Sequence, residues 1–204
     1  MTVKDYCKEQ FIDYLTILFR NNPTVIVKTS EVKEQAMKIV NNTKKHNHNG
    51  RSDAIQIDNA LRGCALEYAF LKCVPKSYKN PKEFNVRDSD SYVWDNKADF
   101  LGEEMFIDCT LVDERGYFSA VIKPAGVNRS DGYDWGKFRT KEKNKNLLDF
   151  LVGGSATIDG TNIICKLSAI ADVKDAFDYS NWLKSSAFNH EHAMYLSETV
   201  THKV

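Results

Sequence analysis

Long apolar runs are missing from this sequence. No uninterrupted stretch approaches the about 18 residues that span a bilayer, although 42% of the chain is hydrophobic. The first segment, MTVKDYCKEQFIDYL, mixes acids with lysines and lacks the apolar centre of a signal peptide. We therefore expect no membrane partner and a cytoplasmic location. Frequent Lys and Asn are typical of AT-rich genomes such as those of phages, which favours a bacterial or phage-infected host cytoplasm.

An excess charge of either sign is also missing. Lys+Arg and Asp+Glu both number 28, so the formal net charge at pH 7 is zero. A uniformly basic nucleic-acid-binding protein is thereby excluded, whereas a basic groove on one side of the molecule is not.

Several common signatures of cofactor and metal sites are absent as well. The sequence has no P-loop, no G-x-G-x-x-G and no C-x-x-C pair. Its cysteines are odd in number and widely spaced, which favours buried reduced thiols over disulfides or a zinc site. They are Cys7, Cys64, Cys73, Cys109 and Cys165.

What the sequence does contain is a series of helical patterns followed by strand patterns. No repeat or linker divides it, so we predict a single domain over residues 1–204. It has an N-terminal helical portion (1–50), a core (53–125), and a basic loop with C-terminal strands and a helix (126–204). The order indicates an α+β fold with a mixed sheet, a central antiparallel meander and flanking helices. The predicted helices cover 5–20, 32–40, 53–71, 146–151 and 172–184, and the predicted strands cover 24–27, 98–101, 105–112, 117–123, 155–158 and 162–170.

The third predicted helix carries an acid beside its apolar stripe. Asp53 and Gln56 have the spacing of a capping box, and an apolar stripe follows through IQIDNALRGCALEYAFLKC. At about 100° per residue, Glu67 lies roughly 60° from Cys64, at the margin of that stripe. Glu67 is therefore either a solvent-exposed residue of a well-formed helix or an acid whose side chain points along the packed surface.

Two further acids occupy strand positions, where a carboxylate gains nothing from packing. Asp99 lies in the strand before a predicted turn at 102–104, and Asp108 lies at the centre of the next strand, MFIDCTLV. Acids on neighbouring strands of a hairpin can converge on one hard cation, and Mg²⁺ prefers carboxylate oxygens. The pattern favours a site for Mg²⁺ or Mn²⁺ at Asp99 and Asp108, with Glu67 completing it or holding a second ion.

These segments resemble the PD-(D/E)xK nuclease superfamily, the restriction-endonuclease-like fold of many restriction endonucleases, phage nucleases and junction resolvases. LRGCALEYAFLKC is similar to the helix that carries the family's Glu, WDNKADF to the first catalytic strand and MFIDCT to the second. The resemblance covers residues 53–125. It implies Mg²⁺-dependent hydrolysis of phosphodiester bonds, with DNA as the expected substrate. It also implies that Glu67, Asp99 and Asp108 are the metal ligands and catalytic acids.

One position departs from the family pattern. Where the family has acid-x-Lys, this chain has Asp108 followed by Thr110, so the lysine that polarises the scissile phosphate is missing there. A two-residue turn at 115–116 or a four-residue loop over 113–116 places Lys123 on the face of Asp108, because side chains alternate along strands. Lys123 is therefore our candidate for the missing catalytic lysine, provided that the loop length is even.

A basic segment after the predicted meander offers a surface for nucleic acid. In RSDGYDWGKFRTKEKNKN, basic side chains that can contact phosphates are interleaved with aromatics that can stack on bases. A solvated basic loop is the alternative interpretation. The candidate contacts are Arg129, Trp135, Lys137, Arg139, Lys141 and Lys143.

Other acids and histidines form weaker patterns. Asp159 with Asp172-Val173-Lys174 spells a second acid-x-Lys motif, but Asp159-Gly160 indicates a turn and Asp172 a helix cap. Two H-x-H pairs lie in polar, loop-like segments, and an unrelated enzyme built on them stays an alternative. They are His46/His48 and His190/His192.

The expected function is thus that of a metal-dependent endonuclease, with a homodimer as a possible assembly. The principal alternative is a catalytically inactive module of the same fold that binds nucleic acid or a protein partner. Thr110 in place of the family lysine is the best support for that alternative.

Overall fold

A computed structural model describes residues 1–21, 24–45, 52–74, 96–111, 149–176, 182–184 and 192–194. These residues form an α+β structure, as expected. The helices are α1 (Val3–Arg20), α2 (Thr29–Lys45), α3 (Asp53–Cys73) and the short α4 (Val173–Ala176). The strands are β1 (Thr24–Lys28), β2 (Asn96–Phe100), β3 (Glu103–Leu111), β4 (Phe150–Asp159), β5 (Asn162–Asp172), β6 (Trp182–Lys184) and β7 (His192–Met194).

The N-terminal helices form where the apolar periodicity predicts them. Helix α1 begins with a reciprocal capping box, in which Thr2 Oγ1 accepts from Asp5 N–H and Asp5 Oδ2 accepts from Thr2 N–H. The N-cap of α3 lies one residue earlier than predicted, because Ser52 Oγ accepts from Ile55 N–H at 3.5 Å. The predicted capping box at Asp53 and Gln56 is therefore wrong, and Asp53 lies in the first turn.

A five-stranded mixed sheet forms the centre of the molecule, in the order β1-β5-β4-β3-β2. All neighbouring strands are antiparallel except β3 and β4, which are parallel. The predicted meander is therefore wrong at its centre. Strand β4 lies beside β3, and it begins at Phe150, inside the segment 146–151 that we predicted as a helix.

The C-terminal part also contains a strand where we predicted a helix. Among the described residues of the predicted helix over 172–184, Val173–Ala176 forms α4, whereas Trp182–Lys184 forms β6, which pairs antiparallel with β7. Residues 117–123, predicted as the third strand of the meander, lie outside the described residues.

The hydrophobic core lies between the central sheet and the helices α1 and α3. Alternate residues of β3 (Met105, Ile107 and Cys109) are buried in one cluster with Phe11 of α1 and Phe70 of α3. We call this side of the sheet the inner face and the opposite side the outer face. Helix α2 packs on α3 and β1, and no helix in the described part of the chain is long and apolar enough to cross a membrane.

Two local features set the strand register. Strands β2 and β3 are joined by Leu101 and Gly102, which have φ values of 52° and 86°. Positive φ at both positions is typical of the two-residue type I′ hairpin turn. Between β4 and β5 the register shifts at Gly153/Gly154, so that Ser168 becomes the extra residue of a β-bulge.

Candidate carboxylate site on the outer face of the sheet

Asp108 lies in the middle of the sheet, on its outer face. The flanking residues Ile107 and Cys109 point into the core between sheet and helices, so alternation along the strand directs the Asp108 side chain the other way. Only 4% of Asp108 is exposed. A carboxylate in such a buried place is stabilised by hydrogen bonds or by a cation.

The neighbours of Asp108 on the outer face are small or apolar. Its partner on β4 is Leu151, and the next position on β5 is Ala171; both are buried. Thr110, two residues further along β3, lies beside Gly153 at the β-bulge. Bulges are frequent beside active sites, where they redirect side chains. Gly153 adds no side chain to the outer face at this point.

Asp99 shares the outer face with Asp108 but lies far from it. Asp99 is paired with Glu104, which lies four positions before Asp108 along β3. At a rise of about 3.3 Å per residue this is about 13 Å along the strand. Because Mg²⁺–oxygen distances are about 2.0–2.1 Å, Asp99 and Asp108 cannot bind the same ion in this register. The expected convergence of these two acids is therefore not found.

Glu67 is also separated from Asp108. Helix α3 packs on the inner face, where Leu66 lies directly over Gly154. Glu67 follows Leu66 on this helix and is half-buried. The sheet therefore lies between the helix that carries Glu67 and the side chain of Asp108. Within the described ranges there is no group of three or more His, Cys, Asp or Glu side chains that could hold a metal ion.

The remaining predicted site residues lie outside the described residues, so their place relative to Asp108 stays a prediction. They are Lys123, Arg129, Trp135, Lys137, Arg139, Lys141 and Lys143.

The second acid-x-Lys motif has the structural roles that its sequence context predicts. Asp159 precedes the turn between β4 and β5 at Gly160, which has a φ of 60°. Asp172 Oδ1 accepts from the N–H of Lys174 at 2.7 Å and so caps α4. The interpretation of these acids as turn and cap residues is confirmed.

A partly buried group of charges at the start of β4 was not predicted from the sequence. We call it the lysine–aspartate cluster: Lys4, Lys8, Asp149 and Asp172. Asp149 Oδ1 is 3.3 Å from Lys4 Nζ and 3.9 Å from Lys8 Nζ, and Lys8 Nζ is 2.8 Å from Asp172 Oδ2. Lys8 Nζ also lies 5.3 Å from the centre of the Phe150 ring. Opposite charges and a ring face thus compensate the burial of Lys8.

Asp149 links this cluster to the strand that carries Asp108. Its Oδ2 accepts from the N–H of Phe106 at 3.0 Å, and its own N–H donates to the carbonyl of Phe106 at 2.9 Å. Its carbonyl accepts from the N–H of Val173. The cluster therefore fixes the point at which β3 and β4 begin to pair. The sequence feature that could have indicated this cluster is the position of Lys4 and Lys8 on the helical stripe of Phe11, at i, i+4 and i+7.

Comparisons with known proteins give no further indication: no family model, no curated protein and no solved structure matches this chain.

Proposed function

We propose that this protein is a metal-dependent endonuclease that hydrolyses phosphodiester bonds of nucleic acid, with DNA as the expected substrate. The single observation that carries the proposal is Asp108, a carboxylate 4% exposed at the centre of a sheet beside small and apolar neighbours. A carboxylate at this place is a ligand type that Mg²⁺ and Mn²⁺ prefer.

In this proposal Asp108 alone among the three predicted acids holds the reactive ion. Mg²⁺ is commonly held by one or two carboxylates together with water and substrate phosphate. The ion would lower the pKa of a bound water and stabilise the charge that develops on the phosphate. Asp99 and Glu67 have no direct contact with this ion, because the register and the sheet separate them from Asp108.

Positive charge for the phosphate has to come from elsewhere than residue 110. Thr110 shares the outer face with Asp108, and its hydroxyl cannot replace a lysine charge. Lys123 is our candidate for that charge, and the basic segment from Arg129 to Lys143 is our candidate for contacts along the nucleic-acid backbone.

A second candidate function is favoured by the same geometry. Since Asp99 and Glu67 do not join Asp108, and Thr110 replaces the family lysine, an inactive nuclease-like module that binds nucleic acid or a protein partner is the alternative. The two candidates differ in metal binding, which an inactive scaffold does not require.

The test is cleavage of supercoiled plasmid and of single-stranded DNA in Mg²⁺ or Mn²⁺, with the wild type and Asp108→Asn. We expect the substitution to lower the cleavage rate by about 10²–10³-fold, the usual cost of losing one group that stabilises transition-state charge. Calorimetric titration with Mn²⁺ should show binding by the wild type that Asp108→Asn lacks.

Asp149→Asn is the matched control, because Asp149 is also a buried carboxylate of this sheet, with 6% exposed against 4% for Asp108. It should lose stability but retain Mn²⁺ binding and cleavage at temperatures where it is folded. Full cleavage by Asp108→Asn would refute the site. Mn²⁺-independent DNA binding without any cleavage would favour the inactive module.

A further inference from the structure

We propose that the edge strand β1 pairs with β1 of a second copy of this chain, about a twofold axis at Ile26. The proposal concerns a surface remote in the sheet order from Asp108, and it does not depend on the proposed nuclease function.

Strand β1 is the end strand of the five-stranded sheet, and its described partner is β5 alone. Alternate residues Thr24, Ile26 and Lys28 are exposed, and 60% of Ile26 is accessible to solvent. Exposed edges act as templates for another strand, and proteins usually protect them with short strands, lysines, proline, bulges or inward-pointing charges. The strand TVIVK carries one lysine, Lys28, at its last position; it contains no proline, and its pairing with β5 is regular throughout.

The hydrogen bonds to β5 define which backbone groups point outward. The N–H of Thr29 donates to the carbonyl of Thr161 at 2.9 Å, in line with the register that pairs Lys28 with Asn162. Hydrogen-bonded pairs alternate along an antiparallel ladder. The backbone groups of Val25 and Val27 therefore point toward β5. Those of Thr24, Ile26 and Lys28 point away from it, as the bond from Lys28 N–H to Glu31 Oε2 (2.7 Å) also shows.

This pattern is self-complementary about Ile26. Antiparallel pairing of two copies centred there places Ile26 opposite Ile26 and Val25 opposite Val27. Both copies of Ile26 then donate and accept one hydrogen bond. On either side, the N–H of Thr24 meets the carbonyl of Lys28, while the N–H of Lys28 keeps its bond to Glu31. A centre at Val27 would place Ile26 opposite Lys28, whose N–H is already bonded to Glu31, and a centre at Val25 would pair Thr24 with Ile26 and leave Lys28 without a partner in β1.

Charge and apolar exposure agree with the same arrangement. Lys28 lies opposite Thr24, and the two copies of Lys28 are separated by four strand positions, about 13 Å. This exceeds the Debye length of about 8 Å at physiological ionic strength, so their repulsion is weak. Ile26 lies beside Ile164, which is 37% exposed, so pairing joins two apolar patches on one continuous outer face.

A pairing of this length buries less than the about 800 Å² per partner of a standard interface. We therefore expect a weak dimer with a dissociation constant in the micromolar range. Sedimentation equilibrium of the full chain over about 1–500 µM should show a reversible monomer–dimer equilibrium. Ile26→Pro removes the outward N–H but no bond to β5, and it should weaken the dimer at least about tenfold without unfolding the monomer.

Ile17 supplies the matched control, because it is an isoleucine with the same 60% exposure on the surface of α1. Ile17→Lys should leave the dimer unchanged, whereas Ile26→Lys should abolish it. In mild oxidant, Ile26→Cys should form a disulfide-linked dimer, since paired Cα atoms lie about 5.5 Å apart, and Ile17→Cys should not. A monomer at all concentrations, a dimer that survives both Ile26→Pro and Ile26→Lys, or equal cross-linking at positions 17 and 26 would each overturn the proposal.

Discussion

Replacing Lys8 by methionine removes the central charge of the lysine–aspartate cluster and keeps most of the side-chain volume. In the wild type the Lys8 side chain is 10% exposed and its Nζ lies 2.8 Å from Asp172 Oδ2. After the substitution, Asp149 still has Lys4 at 3.3 Å, whereas Asp172 loses this partner. The Asp172 side chain is 18% exposed, so water can restore little of its solvation.

The expected cost follows from that geometry. Removing one partner of a fully buried ion pair destabilises a protein by about 3–5 kcal/mol, because the other charge stays buried and uncompensated. Since Asp172 is partly exposed, we expect the lower end of this range, about 3 kcal/mol. For a domain of this size, about 1 kcal/mol shifts Tm by roughly 2–4 °C. Lys8→Met should therefore lower Tm by roughly 6–12 °C.

The assay is thermal and urea unfolding, with Lys38→Met as the control. Lys38 Nζ is 2.9 Å from Glu34 Oε1, nearly the same distance, but the two side chains are 53% and 85% exposed. The same chemical change should there leave Tm unchanged within error, because exposed pairs contribute little. The double variant Lys8→Met/Asp172→Asn should recover part of the loss. Equal effects of Lys8→Met and Lys38→Met would refute the reasoning.

Two further predictions concern a close contact and a buried thiol. In Gly154→Ala the new Cβ would lie 2.5 Å from both Leu66 Cδ1 and the carbonyl oxygen of Lys166, so urea unfolding should show a loss of about 2 kcal/mol or more. Gly63→Ala, with nothing within 4 Å of its added Cβ, should instead gain about 0.5–1 kcal/mol within α3, and a loss there would contradict the packing. Burial raises the pKa of Cys165 from 9.0 to about 11. Since the unfolded thiol then ionises first, stability should be constant below pH 9 and fall by up to about 3 kcal/mol toward pH 11. Cys165→Ala should lack this fall in unfolding measured between pH 8 and 11, and an identical pH profile for the variant would be the contrary result.

Helices α1, α2 and α3 could be predicted from the sequence because their signal is local. Each has apolar residues at helical spacing, and α1 carries Phe11 and Leu15 on one stripe. Strand β1 was equally clear from Thr24-Val25-Ile26-Val27, which the structure extends by one residue. These elements depend little on what the rest of the chain does.

The site geometry could not be predicted because it depends on one turn. A turn at 102–104 would have paired Leu101 with Met105 and Asp99 with Ile107, one strand position from Asp108 but on the opposite face of the sheet. The structure has the turn at Leu101-Gly102, which pairs Asp99 with Glu104 instead. Nothing in the sequence marks Leu101 as a residue with positive φ, since leucine rarely adopts it.

The parallel pairing of β3 and β4 and the lysine–aspartate cluster were missed for a different reason. Both join segments that are distant in sequence, such as Lys8 with Asp149 and Asp172. Hydrophobic periodicity describes one segment at a time, and it does not state which segments meet. Phe150 and Leu151 were assigned to a helix because a short apolar run is compatible with either structure.

The position of β1 between solvent and β5 also has a consequence for synthesis of the chain. Thr24 pairs with Lys166, and Lys28 with Asn162, so β1 cannot pair until β5, the last strand of this sheet in the sequence, has been synthesised. At about 5–20 residues per second, the ribosome needs roughly 7–30 s to add the intervening about 140 residues. During that interval both edges of the Val25-Ile26-Val27 segment are open. Several copies of the chain lie close together on a polysome. There the Val25-Ile26-Val27 segment, which we expect to pair two folded chains, is open to premature association.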